Sequence, residues 1–203
     1  MKVIALCGSP RNGNTEFYLT QVLGHLEKQG HATSLILLKD KKIEQCTGCY
    51  QCIENKACVV KDDFQAVFQE MIEADCIIAG SPVYNGSITP RLKAVLDRAG
   101  FSARWMKNDL HTTDKKYNWG QMIFSRKLFA PITVARKTGQ TFAWSQLALW
   151  AGVNDLILVG SNYWTVGTAG TSGKMNADED TEGASIMAHL ADNLDFLLTK
   201  IHQ

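Results

Sequence analysis

The sequence has almost no net charge: 21 Lys+Arg stand against 20 Asp+Glu in 203 residues, a formal net charge of +1. With no basic excess and with the charges interspersed, a general nucleic-acid binder is excluded. Long apolar runs are missing too. After Met1-Lys2 only the stretch from Val3 to Cys7 precedes Gly8-Ser9-Pro10, too short for a signal-peptide core or a membrane span. No membrane contact is therefore expected, and the cytoplasm is the expected location. There is no internal repeat and no low-complexity tract, and the five histidines lack metal-ligand spacing. No acid/base pair stands out. What is present is an apolar fraction of 45%, enough for a real core, and six cysteines. The length suits one domain, 1–203, of roughly 150 residues with some decoration.

Periodicity supplies the organisation. Lys2 to Cys7, His31 to Leu38, Asp75 to Gly80, Leu128 to Ala135 and Val153 to Gly160 read as short apolar strands. Helical stripes are predicted over Asn14 to Gln29, Phe64 to Ile72, Thr89 to Ala99, Phe142 to Ala151 and Glu182 to Ile201. Near-continuous apolar strands alternating with helices indicate an α/β fold with a parallel sheet covered on both faces. Right-handed crossovers make it a doubly wound, three-layer sandwich. Two stretches stand outside this rhythm: a polar loop, 39–61, with four cysteines, and an insertion, 101–127, holding Trp105, Tyr117 and Trp119.

In such sheets ligands bind beyond the carboxyl ends of the strands. At the first of these ends lies Gly8-Ser9-Pro10-Arg11-Asn12-Gly13-Asn14-Thr15-Glu16, a turn feeding a helix N-terminus. Ser9, Asn14 and Thr15 could donate to phosphate oxygens and Arg11 could add charge. An ordinary turn capped by Asn14, with Glu16 in the first helical turn, is the alternative. The spacing is neither GxGxxG nor GxxxxGK[ST], so neither a Rossmann turn nor a nucleotide P-loop is indicated. After the third strand a second loop, Gly80-Ser81-Pro82-Val83-Tyr84-Asn85-Gly86-Ser87, presents backbone groups beside an aromatic ring.

These two loops, with Leu92-Lys93 through Asp97-Arg98, resemble the NADPH-dependent FMN reductase family of flavodoxin-like proteins. The resemblance implies strand order 2-1-3-4-5 and FMN as cofactor, its phosphate on Ser9, Arg11, Asn14 and Thr15. The flavin ring would lie against Pro82, Val83, Tyr84, Asn85, Gly86 and Ser87, with hydrogen bonds from their backbone. Ala135 to Thr141 is similar to the family's third flavin-side loop. The resemblance offers NAD(P)H as one candidate donor, without naming the physiological one.

Cys46, Cys49, Cys52 and Cys58 form CxxCxxCxxxxxC. Four thiolates this close can surround one metal centre, either an iron-sulfur cluster or a structural zinc, and reduced unliganded thiols are the remaining option. Among FMN-reductase relatives the pattern resembles the iron-sulfur flavoproteins, which implies a [4Fe-4S] cluster beside FMN and a homo-oligomer, a dimer or tetramer. Asp62 and Asp63 are expected to begin a helix. Cys7 and Cys76 read as packing residues. Trp144 and Trp150 are expected in a core or an interface. Three functions are carried forward: electron transfer between a donor and a small-molecule or protein acceptor through FMN and the cluster, a cluster-free NAD(P)H-dependent FMN or quinone reductase, and a metal-stapled interaction domain using Trp105 and Trp119.

Overall fold

In a computed structural model, residues 1–108, 120–170 and 177–201 are described. Five strands form one parallel sheet in the order β2-β1-β3-β4-β5: β1 is Lys2–Cys7, β2 Ala32–Leu37, β3 Cys76–Pro82, β4 Leu128–Ala135 and β5 Ile157–Leu158. Alternation along β1 divides the interior. Ile4 and Leu6 face one core with Phe64 and Leu92, while Val3, Ala5 and Cys7 face a second with Leu19 and Leu190. Helices α1 (Asn14–Lys28) and α6 (Thr181–Ile201) contribute to the second core; α3 (Phe64–Glu73), α4 (Pro90–Met106) and α5 (Gln140–Val153) contribute to the first. Cys7 and Cys76 are packing residues, with 1% and 0% exposure.

Three features differ from the reading of the sequence. The strand expected at Val153–Gly160 shrinks to Ile157–Leu158, because α5 runs on through Val153 and Asp155 turns in a left-handed conformation, φ 61°. A sixth strand outside the expected set, β6 (Val166–Thr168), pairs parallel with the end of β4 while β5 pairs with its beginning, the turn formers Gly160-Ser161-Asn162 lying between the two. Gly167 permits this, since a Cβ there would lie 2.2 Å from the Tyr18 ring. Finally, α4 continues to Met106, so the first six residues of the expected insertion are helix.

That extension moves Trp105. It is 4% exposed, with its ring edge-on to Phe101 at 6.1 Å, and is a core residue rather than part of an outer partner surface. Tyr117, Trp119 and His111 lie outside the described residues, as does His202. Trp150 packs among Phe124 and Phe129 and donates to the Leu96 carbonyl, as expected of a core residue. Trp144 meets Trp164 edge-on at 5.2 Å. His25 and His31 pair with Asp192 and Asp195 of α6.

Candidate functional site

Three loops meet at the carboxyl edge of the sheet. The Gly8 N–H donates to the Gly80 carbonyl (2.8 Å) and the Thr89 hydroxyl to the Gly8 carbonyl (2.8 Å), which ties the end of β1 to the start of α4. A Cβ on Gly8 would stand 2.8 Å from Thr89 Oγ1 and 3.1 Å from the Gly80 carbonyl oxygen, so only glycine allows this closeness. Between the tied loops lies a crevice of about 250 Å³, walled by Ser9, Arg11, Asn14 and Thr15 on one side and by Pro82, Val83 and Tyr84 on the other. Ala135 and Arg136 at the end of β4 line it as well, and so do Ala169 and Gly170 beyond β6.

The first loop is prepared for an anion. Gly13, in extended conformation, is the N-cap of α1, and no side chain caps the helix. Asn14 is therefore the first helical residue rather than the cap, and its amide donates to the Thr168 carbonyl (3.0 Å). The backbone amides of a first turn with no side-chain cap and the helix dipole both favour negative charge. Ser9 is 6% exposed; its hydroxyl donates to the Arg11 carbonyl (2.6 Å) and accepts from the Arg11 N–H, which curls the loop. Thr15 is 3% exposed, at the same helix end.

The second loop is a hairpin. Tyr84 and Ser87 exchange N–H···O bonds of 2.8 and 2.9 Å across Asn85 and Gly86, whose φ values of 50° and 77° are those of a two-residue turn with Asn-Gly at its tip. The Val83 N–H donates to the Val134 carbonyl, and the Ser87 hydroxyl to Gln146. The expected backbone hydrogen bonding to a ring is thereby narrowed: the Val83, Tyr84 and Ser87 amides are spent within the protein, and those of Asn85 and Gly86 sit at the turn's tip. Gly139 of the third loop packs so closely that a Cβ would meet Val83 at 3.1 Å and Gly86 at 3.3 Å.

Asp180 supports the crevice from behind and was not singled out in the sequence. Its carboxylate accepts from the Tyr18 hydroxyl (2.6 Å), the Thr168 N–H (2.9 Å) and the Gly183 N–H (2.9 Å). Burial pushes its pKa up, but the Tyr18 bond and the amides outweigh that and leave it below the ordinary carboxylate value. The signal was weak because Asp180 lies far along the chain from the loop it supports.

The four cysteines share a second cavity, of about 350 Å³, lined also by Arg98 and Phe101 of α4. Positive φ at Gly48 (64°), Tyr50 (59°) and Lys56 (54°) coils the stretch around a short helix, α2 (Gln51–Asn55). Cys46 and Cys49 are exposed, whereas Cys52 and Cys58 are half-buried. The Gln51 N–H and the Thr47 hydroxyl donate to Cys49 and draw its thiol pKa down. Burial pushes the Cys52 thiol up, and repulsion from Cys58, Cys49 and Cys46 adds to it. Among the described residues no three Cys, His, Asp or Glu side chains are placed to hold a metal ion.

One ion pair closes this cavity. Arg98 and Asp62 have side chains 1% and 0% exposed and meet at 2.6 Å (Nη1 to Oδ2) and 3.0 Å (Nη2 to Oδ1). Arg98 also donates to the Glu44 carbonyl (3.0 Å), the Val60 carbonyl (3.2 Å) and Cys58 Sγ (3.3 Å), with its guanidinium 4.0 Å above the Phe64 ring. Asp62 does begin a helix, accepting the Phe64 N–H, but it accepts the Glu44 N–H as well. A third hollow, lined by Ser9, Pro10, Tyr84, Glu44 and Gln45, lies between the crevice and the cysteine stretch.

A parallel sheet in the order 2-1-3-4-5, with an anion-ready turn after β1 and an Asn-Gly hairpin after β3, defines a flavodoxin-like protein. The chain belongs to the NADPH-dependent FMN reductase family, which matches residues 1–171, and it is an FMN-dependent oxidoreductase. It is 32% identical to an iron-sulfur flavoprotein of Methanocaldococcus jannaschii, over 96% of this chain and 93% of that one. It is 28% identical to an iron-sulfur flavoprotein of Methanosarcina thermophila, with the same shares of the two chains covered. In fold it is similar to the NAD(P)H:quinone oxidoreductase of Methanothermobacter marburgensis, with a TM-score of 0.64 at 14% identity, over 96% of this chain and 98% of that one.

Proposed function

We propose that the chain passes electrons between a reduced donor of the NAD(P)H class and a small-molecule or protein acceptor, using FMN in the crevice and a [4Fe-4S] cluster on Cys46, Cys49, Cys52 and Cys58. The observation that carries the cluster is that all four cysteines line one cavity. Four thiolates spread around a wall suit a many-atom cluster, one iron to each cysteine, better than a single zinc ion, which draws its sulfurs to one point. The names of the relatives support the same reading.

The FMN phosphate would take the uncapped first turn of α1, with Ser9, Arg11, Asn14 and Thr15 around it. The ring would lie along Pro82 to Ser87, within reach of the Asn85 and Gly86 amides. When bound, the flavin accepts an electron pair and releases electrons singly, and the cluster carries one at a time. The protein's part is to orient the ring, shield it from water and supply hydrogen bonds. No general acid or base is required of the chain.

Exposed apolar side chains, Phe142, Leu149 and Val153 on α5 with Tyr163 and Trp164 nearby in sequence to β6, support a homo-oligomer. Light scattering on the purified protein reads its order. Among the described residues no helix is long and apolar enough to cross a membrane. Cysteines kept reduced as cluster ligands fit the cytoplasm.

The second reading, a cluster-free NAD(P)H-dependent FMN or quinone reductase, draws on the exposure of Cys46 and Cys49. A Cys46→Ala, Cys49→Ala double variant separates the two. Under the cluster reading it still takes up FMN and still oxidises NADPH with a soluble flavin acceptor, but loses transfer to one-electron acceptors. Wild-type rates with every acceptor would favour the cluster-free enzyme.

A further inference from the structure

Arg98 spans the cysteine stretch from inside. A guanidinium only 1% exposed reaches the Glu44 carbonyl, two residues before Cys46, and the Val60 carbonyl, two residues after Cys58. Asp62 ties the same segments together by accepting the Glu44 and Phe64 amides. Both ends of the stretch are thus fastened to one buried cation on α4. Its charge is balanced by Asp62, and its planar face lies on Phe64.

One contact is not needed for that fastening: Arg98 Nη2 donates to Cys58 Sγ at 3.3 Å. A neutral thiol is a weak acceptor, whereas a thiolate bound to a metal is a strong one, so this bond gains most when the cysteine is a ligand. Cys58 is the one cysteine of the four that a buried cation holds by its sulfur among the described hydrogen bonds.

We propose that Arg98 is the positioning residue of the cysteine cavity: it draws both ends of the stretch onto α4 through Glu44, Val60 and Asp62, and its hydrogen bond to the Cys58 sulfur raises the reduction potential of the cluster held there. The proposal rests on the cluster reading above. Its physics is electrostatic. Reduction adds one electron, hence one negative charge, to the cluster, and a donor aimed at a ligand sulfur stabilises the reduced form more than the oxidised form. Arg98 stays charged throughout and passes no proton. Asp62 opposes the effect with its negative charge, so the two partners pull the potential in opposite directions.

Removing the guanidinium altogether would leave Asp62 buried and unpaired, so conservative variants carry the test. Lys in place of Arg98 keeps the charge for Asp62 but offers three donors on a shorter stem where the guanidinium makes five contacts, so the longest of them, to the sulfur, is expected to be lost. Asn in place of Asp62 keeps the shape and one of the two side-chain oxygens that accept backbone amides, while removing the negative charge. The cluster potential is measured by dithionite titration with mediators, followed in visible absorption and electron paramagnetic resonance, on wild type, Arg98→Lys and Asp62→Asn. The expected result is a lower potential in Arg98→Lys and a higher one in Asp62→Asn, each by up to about tenfold in the redox equilibrium constant, or ~59 mV for one electron. The flavin potential should stay put in both. Cluster potentials equal to wild type, or shifted in the same direction by both variants, overturn the proposal alone. A wild type that takes up no cluster from iron and sulfide overturns the reading beneath it, and the proposal with it.

Discussion

The crevice at the carboxyl edge of the sheet and the cysteine cavity against the middle of α4 are each lined by loops, but they are held by different forces. The crevice is tied by main chain: Gly8 to Gly80, Val83 to Val134, and Tyr84 to Ser87 across an Asn-Gly turn. Side chains reinforce that frame at its margins, Thr89 at the Gly8 carbonyl and Asp180 at the Thr168 amide, rather than form its centre. The cavity is tied by side chains, with Glu44, Val60, Cys58 and Phe64 all fastened to the Arg98–Asp62 pair. A frame of backbone bonds tolerates surface change and fails where a glycine gains a Cβ. A frame centred on one ion pair fails when either partner is removed, because the other is left charged and buried.

The largest expected effect follows from that contrast. Asp62→Ala should cost about 3–5 kcal/mol in chemical denaturation, since it strands Arg98 in the interior. The folded fraction should bind FMN as wild type does, and a matching loss of FMN affinity would break the distinction between the two regions. Next, Gly8→Ala should cost about 1–3 kcal/mol by forcing apart Thr89 and the Gly80 carbonyl. Here the loss should fall on FMN, with affinity weakened roughly tenfold per 1.4 kcal/mol, and cluster uptake should be spared. Gly86→Ala is milder. At φ 77° a Cβ costs about 1 kcal/mol, read as a modest rise in the FMN Kd with little change in melting.

The smallest effect is on pH dependence. The Asp62 pKa is held below the ordinary carboxylate value, burial being outweighed by Arg98 and two amides. A depressed folded pKa contributes stability that is fully present above the unfolded value of about 3.9 and is lost as pH falls through the folded one. Wild type should therefore exceed Asp62→Asn by a constant margin above about pH 5, with the two converging in stronger acid. A margin that persists unchanged through that range would remove the carboxylate's charge from the account.

Much of this was legible in the sequence. The strands that pack on both faces announce themselves as apolar runs, and the Gly, Ser and Asn of the two loops mark the crevice. The edge was not legible. Ile157 and Leu158 are 41% exposed, and β6 is three residues with a central glycine, so neither carries the buried apolar pattern that identifies a strand. Trp105 could not be placed because α4 carries polar Ser102 and Arg104 among its apolar residues, which hides the helix's last turns. Arg98 and Asp62, 36 residues apart, figure in the sequence only as the end of a family motif and as a helix-start aspartate. Only packing α4 against the cysteine stretch turns them into the centre of a site.

The central claim is that one chain holds FMN and a four-cysteine cluster in separate cavities. The most direct measurement is anaerobic reconstitution with FMN, iron and sulfide, followed by visible absorption and iron, sulfide and flavin analysis, on wild type and Cys58→Ala. The account predicts flavin bands on a broad iron-sulfur shoulder in wild type, with about four irons and four sulfides per FMN, and loss of the shoulder with intact flavin bands in Cys58→Ala. Flavin bands alone in reconstituted wild type would contradict it.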